Sequence, residues 1–249
     1  MVKLTDLLQY TQQLLQVERF SDYCPNGLQL EGSADVSKIV SGVTASMALL
    51  EAALTLNADL VLVHHGYFWR NEDPRIVGIK RKRLAFLLAN NMSLMAYHLP
   101  MDAHPELGNN AQLGRKLNIV QTGSVGEANL VCYGTLKQDL SLRAFSDQIA
   151  TVLQRPPLVM GDLDKQVKTV AWCTGAGQAY LEDAIRLGVD VFISGEISEQ
   201  TTHLALESGV AYIAAGHHAT ERYGIRALGE HLAEKFSLEH HFLDLHNPV

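Results

Sequence analysis

The chain has 249 residues, enough for one large domain or two of ordinary size. Its 47% hydrophobic and 19% charged content is that of a globular protein that builds a core without staples. A formal charge of -7 removes the overall basic footprint for nucleic acid. Three scattered cysteines (Cys24, Cys132 and Cys173) with no CxxC pair exclude a disulfide framework and a thiolate zinc site.

The N-terminal "LTDLLQYTQQLLQ" predicts an amphipathic helix with Thr5 as its N-cap. It lacks the unbroken apolar run of a signal peptide, and no stretch reaches the ~20 apolar residues of a membrane span, so a soluble, cytoplasmic protein is expected. Residues 39–66 then read as an apolar β-branched run, a small-residue turn, a helix and a second apolar run, which is a β-α-β unit. "RIVGIKRKR" (75–83) is the one dense basic run and reads as a solvated helix start. A further strand ends in "MSLMAYHLPMD" (92–102), a helix follows at "AQLGRKL", and the polar "QTGSVGEAN" (121–129) is the expected joint.

Beyond the joint the plan recurs. "LSLRAFSDQIATVLQ" predicts a helix capped by Ser141, and residues 169–196 repeat the β-α-β pattern. Thr44 falls on Thr174, Glu51 on Glu182 and Asp59 on Asp190; His98 falls on His217 and Asp102 on Glu221. The expected class is therefore α/β: two similar α/β lobes from an internal duplication, 1–125 and 126–249, with a metal site in the cleft between them. A single large sheet with a chance resemblance is the alternative.

Ligands in open α/β sheets sit beyond the carboxyl ends of the strands. Those ends carry His64 and His65, then His98 and Asp102, then His217, His218 and Glu221. Imidazoles and carboxylates without sulfur suit Zn, Mn, Fe or Co, and so many donors suit two ions rather than one. The competing reading of each His is a satisfied polar core residue. For His217 with Glu221 it is an exposed pair four residues apart. Gly66 permits the turn that both adjacent histidines need to face one site. His98 and His218 read as groups that orient a ligand. Glu196 is either a cleft-facing base or a capping carboxylate, and Thr220 is the expected N-cap of the last long helix. His104, His203, His231, His240, His241 and His246 are expected on the surface.

"DYCPNGLQLEG", "GVTAS", "HHGYFW", "YHLPMDAHPELGNNAQL", "WCTGAGQ", "SGEISEQ" and "GHHATERYGIRAL", in this order, resemble the GTP cyclohydrolase 1 type 2 homologues, or Nif-three-like proteins, in their short bacterial form. The resemblance implies a dinuclear metal site held by His64, His65, Asp102, His217 and Glu221, and a toroidal homohexamer. It places His98 outside the ligand set, so His98 and Glu196 are expected to move protons. It also implies a metal-dependent hydrolase acting on a nucleotide or related small molecule. A metal-delivery protein or a ring-shaped scaffold without catalysis remains open at this point, because a fold and a metal site do not fix a substrate.

Overall fold

A computed structural model describes residues 1–249. Its strands are β1 Val2–Lys3, β2 Gly27–Leu30, β3 Asp35–Val36, β4 Lys38–Thr44, β5 Leu60–His65, β6 Ser93–Ala96, β7 Ile119–Val125, β8 Val131–Ser141, β9 Leu158–Met160, β10 Gln166–Cys173, β11 Val191–Ser194, β12 Ala211–Ala214 and β13 Glu239–Phe242. Its helices are α1 Leu4–Leu15, α2 Met47–Thr55, α3 Gly78–Ala89, α4 Leu99–Ala103, α5 Asn109–Lys116, α6 Leu142–Leu153, α7 Leu181–Leu187, α8 Glu199–Ser208 and α9 His217–Phe236. This is a mixed α/β protein. The chain forms two compact units: Met1–Met101 with Gly224–His246, and Asp102–Tyr223 with Asn247–Val249.

In the first unit the main sheet has the order β13-β4-β5-β6-β2. Strands β13, β4, β5 and β6 are parallel, and β2 closes the edge antiparallel to β6. Strand β5 is buried through His64, as a strand covered on both faces must be, and its aliphatic run supplies no polar face. Leu49, Leu50 and Ala53 of α2 pack with Val40, Val61 and Val63 in one core. Asp59 opens β5 and fixes the start of β4: its Oδ2 accepts from Ser37 N at 2.8 Å and Lys38 N at 3.0 Å. The pairing of Thr44 with His65 and of Val63 with Ala96 brings the carboxyl ends of β4, β5 and β6 level.

The second unit has the order β7-β8-β10-β11-β12-β9, with β10, β11 and β12 parallel. Asp190 stands to β10 as Asp59 stands to β4. Its Oδ2 accepts from Lys168 N at 3.0 Å and from Thr169 N at 2.8 Å. Phe145, Ile149 and Leu153 of α6 pack with Val170, Trp172 and Ile193. The buried Trp172 donates its indole N–H to Asn110 O at 2.9 Å. The polar stretch expected as a joint supplies most of β7, an edge strand antiparallel to β8. An edge tolerates polar side chains that water can reach.

Two capping expectations change. Helix α1 begins at Leu4, so Thr5 lies inside its first turn; Leu4 N is satisfied instead by Ala34 O at 2.9 Å. Helix α9 begins at His217, so Thr220 also lies within the first turn. Its hydroxyl donates back to Gly216 O at 2.9 Å and accepts from Gly175 N at 3.0 Å. Ser141 caps α6 as expected, accepting from Ala144 N at 3.2 Å. No helix is long and apolar enough to cross a membrane.

Candidate functional site

In the first unit β5 delivers two imidazoles at its carboxyl end. His64 is fully buried, and its Nδ1 lies 2.8 Å from Tyr97 O. A carbonyl only accepts, so Nδ1 carries the proton and Nε2 keeps its lone pair. His65 Nδ1 lies 3.2 Å from the Thr44 hydroxyl across the parallel register. The rings of His64 and His65 are 4.5 Å apart between centroids, and that of His98 is 5.2 Å from His64 and 5.9 Å from His65. One nitrogen of each lies within 4.8 Å of the others, which is close enough for the three to hold an ion. His98 follows β6, and its Nδ1 meets Asp22 Oδ1 at 2.7 Å.

Cys24, Asp22 and His98 also lie close enough to form a donor group. The Cys24 thiol is pushed up to about 12 by burial and then by the Asp22 charge. With no ion beside it, the thiol stays protonated at neutral pH.

In the second unit Asp102 and Glu221 are buried carboxylates, 7% and 3% exposed. Asp102 Oδ1 accepts from Asn109 Nδ2 at 2.8 Å and lies 3.4 Å from the Thr174 hydroxyl. His217 Nδ1 lies 2.7 Å from Glu196 Oε1, and its Nε2 lies 3.0 Å from Glu221 Oε2. Burial pushes the His217 imidazole down, but hydrogen bonds and charge from Glu221 and Glu196 outweigh it and raise it to about 9. Glu196 also accepts from Gln178 Nε2, its backbone carbonyl takes the Tyr212 hydroxyl, and it lines a cavity of about 730 Å³ with Arg155 and Pro157.

Gly175 forms a cradle for Glu221. Its φ is +65°, and a Cβ there would stand 1.9 Å from Glu221 Oε1 and 3.3 Å from His217 Nε2. The Cys173 thiol beside these groups is raised by burial and then by Asp102, Cys132 and Glu221.

These donors fit a divalent cation. Anchoring Nδ1 on a carbonyl or carboxylate is how a ligating imidazole is held, with Nε2 left for the metal. His64 has its Nδ1 anchored in this way, and His217 Nδ1 is likewise held by Glu196, while its Nε2 faces Glu221. The buried Asp102 and Glu221 supply the negative charge such an ion needs.

Sequence reasoning left Asp22 and Asn109 without a role, and gave Gly175 only that of a tight turn between strand and helix. Asp22 sits in "DYCPN" four residues before Asn26, and that spacing is the one signal that could have singled it out. Among histidines expected on the surface, His203 and His246 are exposed. His231 and His240 are not: His231 Nε2 pairs with the Tyr10 hydroxyl at 2.7 Å, and His240 Nε2 with the Ser41 hydroxyl at 2.7 Å. A hydroxyl partner far along the chain makes half-burial tolerable, and no local pattern announces it.

The chain matches the family described as Duf34/NIF3 (NGG1p interacting factor 3) over residues 2–248. It is 53% identical over 250 residues to an Allochromatium vinosum protein named GTP cyclohydrolase 1 type 2 homolog, covering 100% of this chain and 98% of the relative. A solved structure of a protein called ybgI, described as of unknown function, is 52% identical, with a TM-score of 0.97 and full coverage of both chains. A solved protein of Thermus thermophilus is 34% identical, with a TM-score of 0.91 and full coverage of both chains.

Proposed function

Because the chain belongs to the DUF34/NIF3 family, we propose that it is a divalent-metal protein in which His64, His65, Asp102, His217 and Glu221 hold two ions per chain and support hydrolysis of a nucleotide or related small molecule. The observation that carries the reading is the anchoring of ligand-type imidazoles through Nδ1, beside buried carboxylates. The imidazole and carboxylate donor set suits borderline or hard divalent ions such as Zn, Mn, Fe or Co. His64 and His65 belong to the first unit, and Asp102, His217 and Glu221 to the second. The parallel cores β4-β5-β6 and β10-β11-β12, each pinned by one aspartate, support reading the units as copies of one plan.

Bound ions would polarise an electrophilic carbon or phosphorus centre and lower the pKa of a water. The protein's own groups do the rest. Asn109 and Thr174 orient Asp102, and Glu196 orients His217. His98 and Glu196 are the groups placed to accept and return protons. The name carried by the relatives points to a purine nucleotide as substrate. A closed homo-oligomer, a hexamer by resemblance, and a cytoplasmic location complete the proposal.

The test is a panel of nucleotides and related heterocycles incubated with protein loaded with each metal in turn, and with the same protein after chelation. The reading expects metal-dependent product from at least one compound, lost on chelation and on Asp102→Asn. Bound metal without turnover on the whole panel, with transfer to an apo acceptor faster than release into buffer, would make the protein a carrier instead.

A further inference from the structure

We propose that Asp22 is a positioning residue that fixes His98 as the tautomer protonated on Nδ1, so that His98 Nε2 faces the His64–His65 pair as a proton acceptor. The proton-accepting role rests on the hydrolase reading above; the positioning by Asp22 does not.

The Asp22 side chain is 2% exposed and takes four donors. Oδ1 accepts from Tyr23 N at 2.6 Å and His98 Nδ1 at 2.7 Å. Oδ2 accepts from Asn26 Nδ2 at 2.8 Å and Leu99 N at 2.9 Å. Asn26 completes the grip, since its Oδ1 accepts from His98 N at 2.7 Å. The turn Asp22–Asn26 thus holds the ring, the backbone and the following residue of His98 at once.

An ionised carboxylate accepts and never donates, so the proton lies on Nδ1. Burial alone would raise this carboxyl, but the hydrogen bonds from His98, Asn26 and Tyr23 N hold it at about 2, so it is ionised at neutral pH. The nitrogen left to the site is Nε2. The Trp69 ring packs edge-on to His98 at 5.0 Å between centroids and restricts its rotation.

The step this permits is simple. A water O–H bond breaks, the proton bonds to the Nε2 lone pair, and the oxygen keeps the electron pair for attack on the substrate. The His98 cation that results faces the Asp22 carboxylate, which stabilises it, and the proton leaves later on the departing group. The second unit holds the same device in His217 and Glu196, also at 2.7 Å, where Nε2 meets a carboxylate instead.

Asp22→Asn keeps the shape but cannot meet four donors with one amide oxygen. Its nitrogen faces either His98, where it donates to Nδ1 and forces the Nε2–H tautomer, or the Leu99 and Asn26 donors, where a neutral oxygen replaces the charged acceptor and the preference for Nδ1–H weakens.

The experiment is ¹⁵N NMR of histidine-labelled, metal-free protein, with His98 identified by its loss in His98→Gln, followed by zinc titration. Wild type should show a proton on Nδ1 and none on Nε2. Asp22→Asn should shift His98 toward Nε2–H while binding as many zinc ions as wild type. A wild-type Nε2–H tautomer, or an unchanged tautomer in Asp22→Asn, overturns the positioning role. Loss of a zinc equivalent in Asp22→Asn makes His98 a ligand and overturns its role as proton acceptor. A wild type that binds no zinc, manganese or iron but shows the Nδ1–H tautomer sinks the metal reading and upholds Asp22. Should Asp22→Asn fail to fold, the wild-type tautomer decides alone.

Discussion

Gly175 and Glu221 are packed so closely that any side chain at 175 displaces the carboxylate: a Cβ there would stand 1.9 Å from Glu221 Oε1. Two effects add in Gly175→Ala. A left-handed residue with a Cβ costs about 1–2 kcal/mol, and Glu221 must move away from His217. The variant should fold with a modestly lower Tm and bind zinc about 10- to 100-fold more weakly, the usual loss when a ligand's support is removed. Isothermal titration reads this directly. Wild-type affinity would show that Glu221 does not hold metal from the position seen here.

His240 gives the fold an acid-sensitive point. It lies against the Ser41 hydroxyl, and Gly229 leaves it room. Burial, opposed by Glu230, pushes its imidazole down to about 4. The folded value is depressed below the unfolded one, so the contribution is present above about pH 6.5 and is lost as pH falls through 4. The size is at most about 3 kcal/mol, from one pKa unit being 1.36 kcal/mol. Urea unfolding midpoints should fall between pH 6.5 and 4 in wild type and fall less in His240→Gln. Equal slopes in the two proteins would contradict the account.

Asp190 ties β11 to β10 through the backbone N–H groups of Lys168 and Thr169 and the Thr169 hydroxyl. Removing the carboxylate leaves three donors to find water at an irregular point of β10, where its register with β8 shifts. Asp190→Ala should cost about 1–3 kcal/mol, read from urea unfolding. A loss below a few tenths would mean that solvent replaces the aspartate freely.

The strand cores were legible because apolar runs such as 60–63 and 191–193 are buried on both faces, and the two histidines that end the first, His64 and His65, break the apolar run visibly. The pairing of Asp59 with Asp190 was also readable, since both follow a helix and precede a core strand. Helix starts were less so. Thr5 and Thr220 are good capping residues, but Ala34 O already satisfies the α1 start, and the α9 start lies three residues earlier. The supports of the site were invisible. Asn109 reaches Asp102 from seven residues away, Thr174 from 72, and Asp22 reaches His98 from 76. Long-range polar pairs follow from topology, and no local period encodes them.

The most direct test of the central claim is metal content per chain by elemental analysis, after loading with manganese, iron and zinc in turn and removing the excess. The account predicts about two tightly held ions in wild type, in keeping with a two-metal site, and the loss of at least one in both His65→Ala and His217→Ala. One ion or none in wild type under every loading, or an undiminished count in both variants, would contradict it.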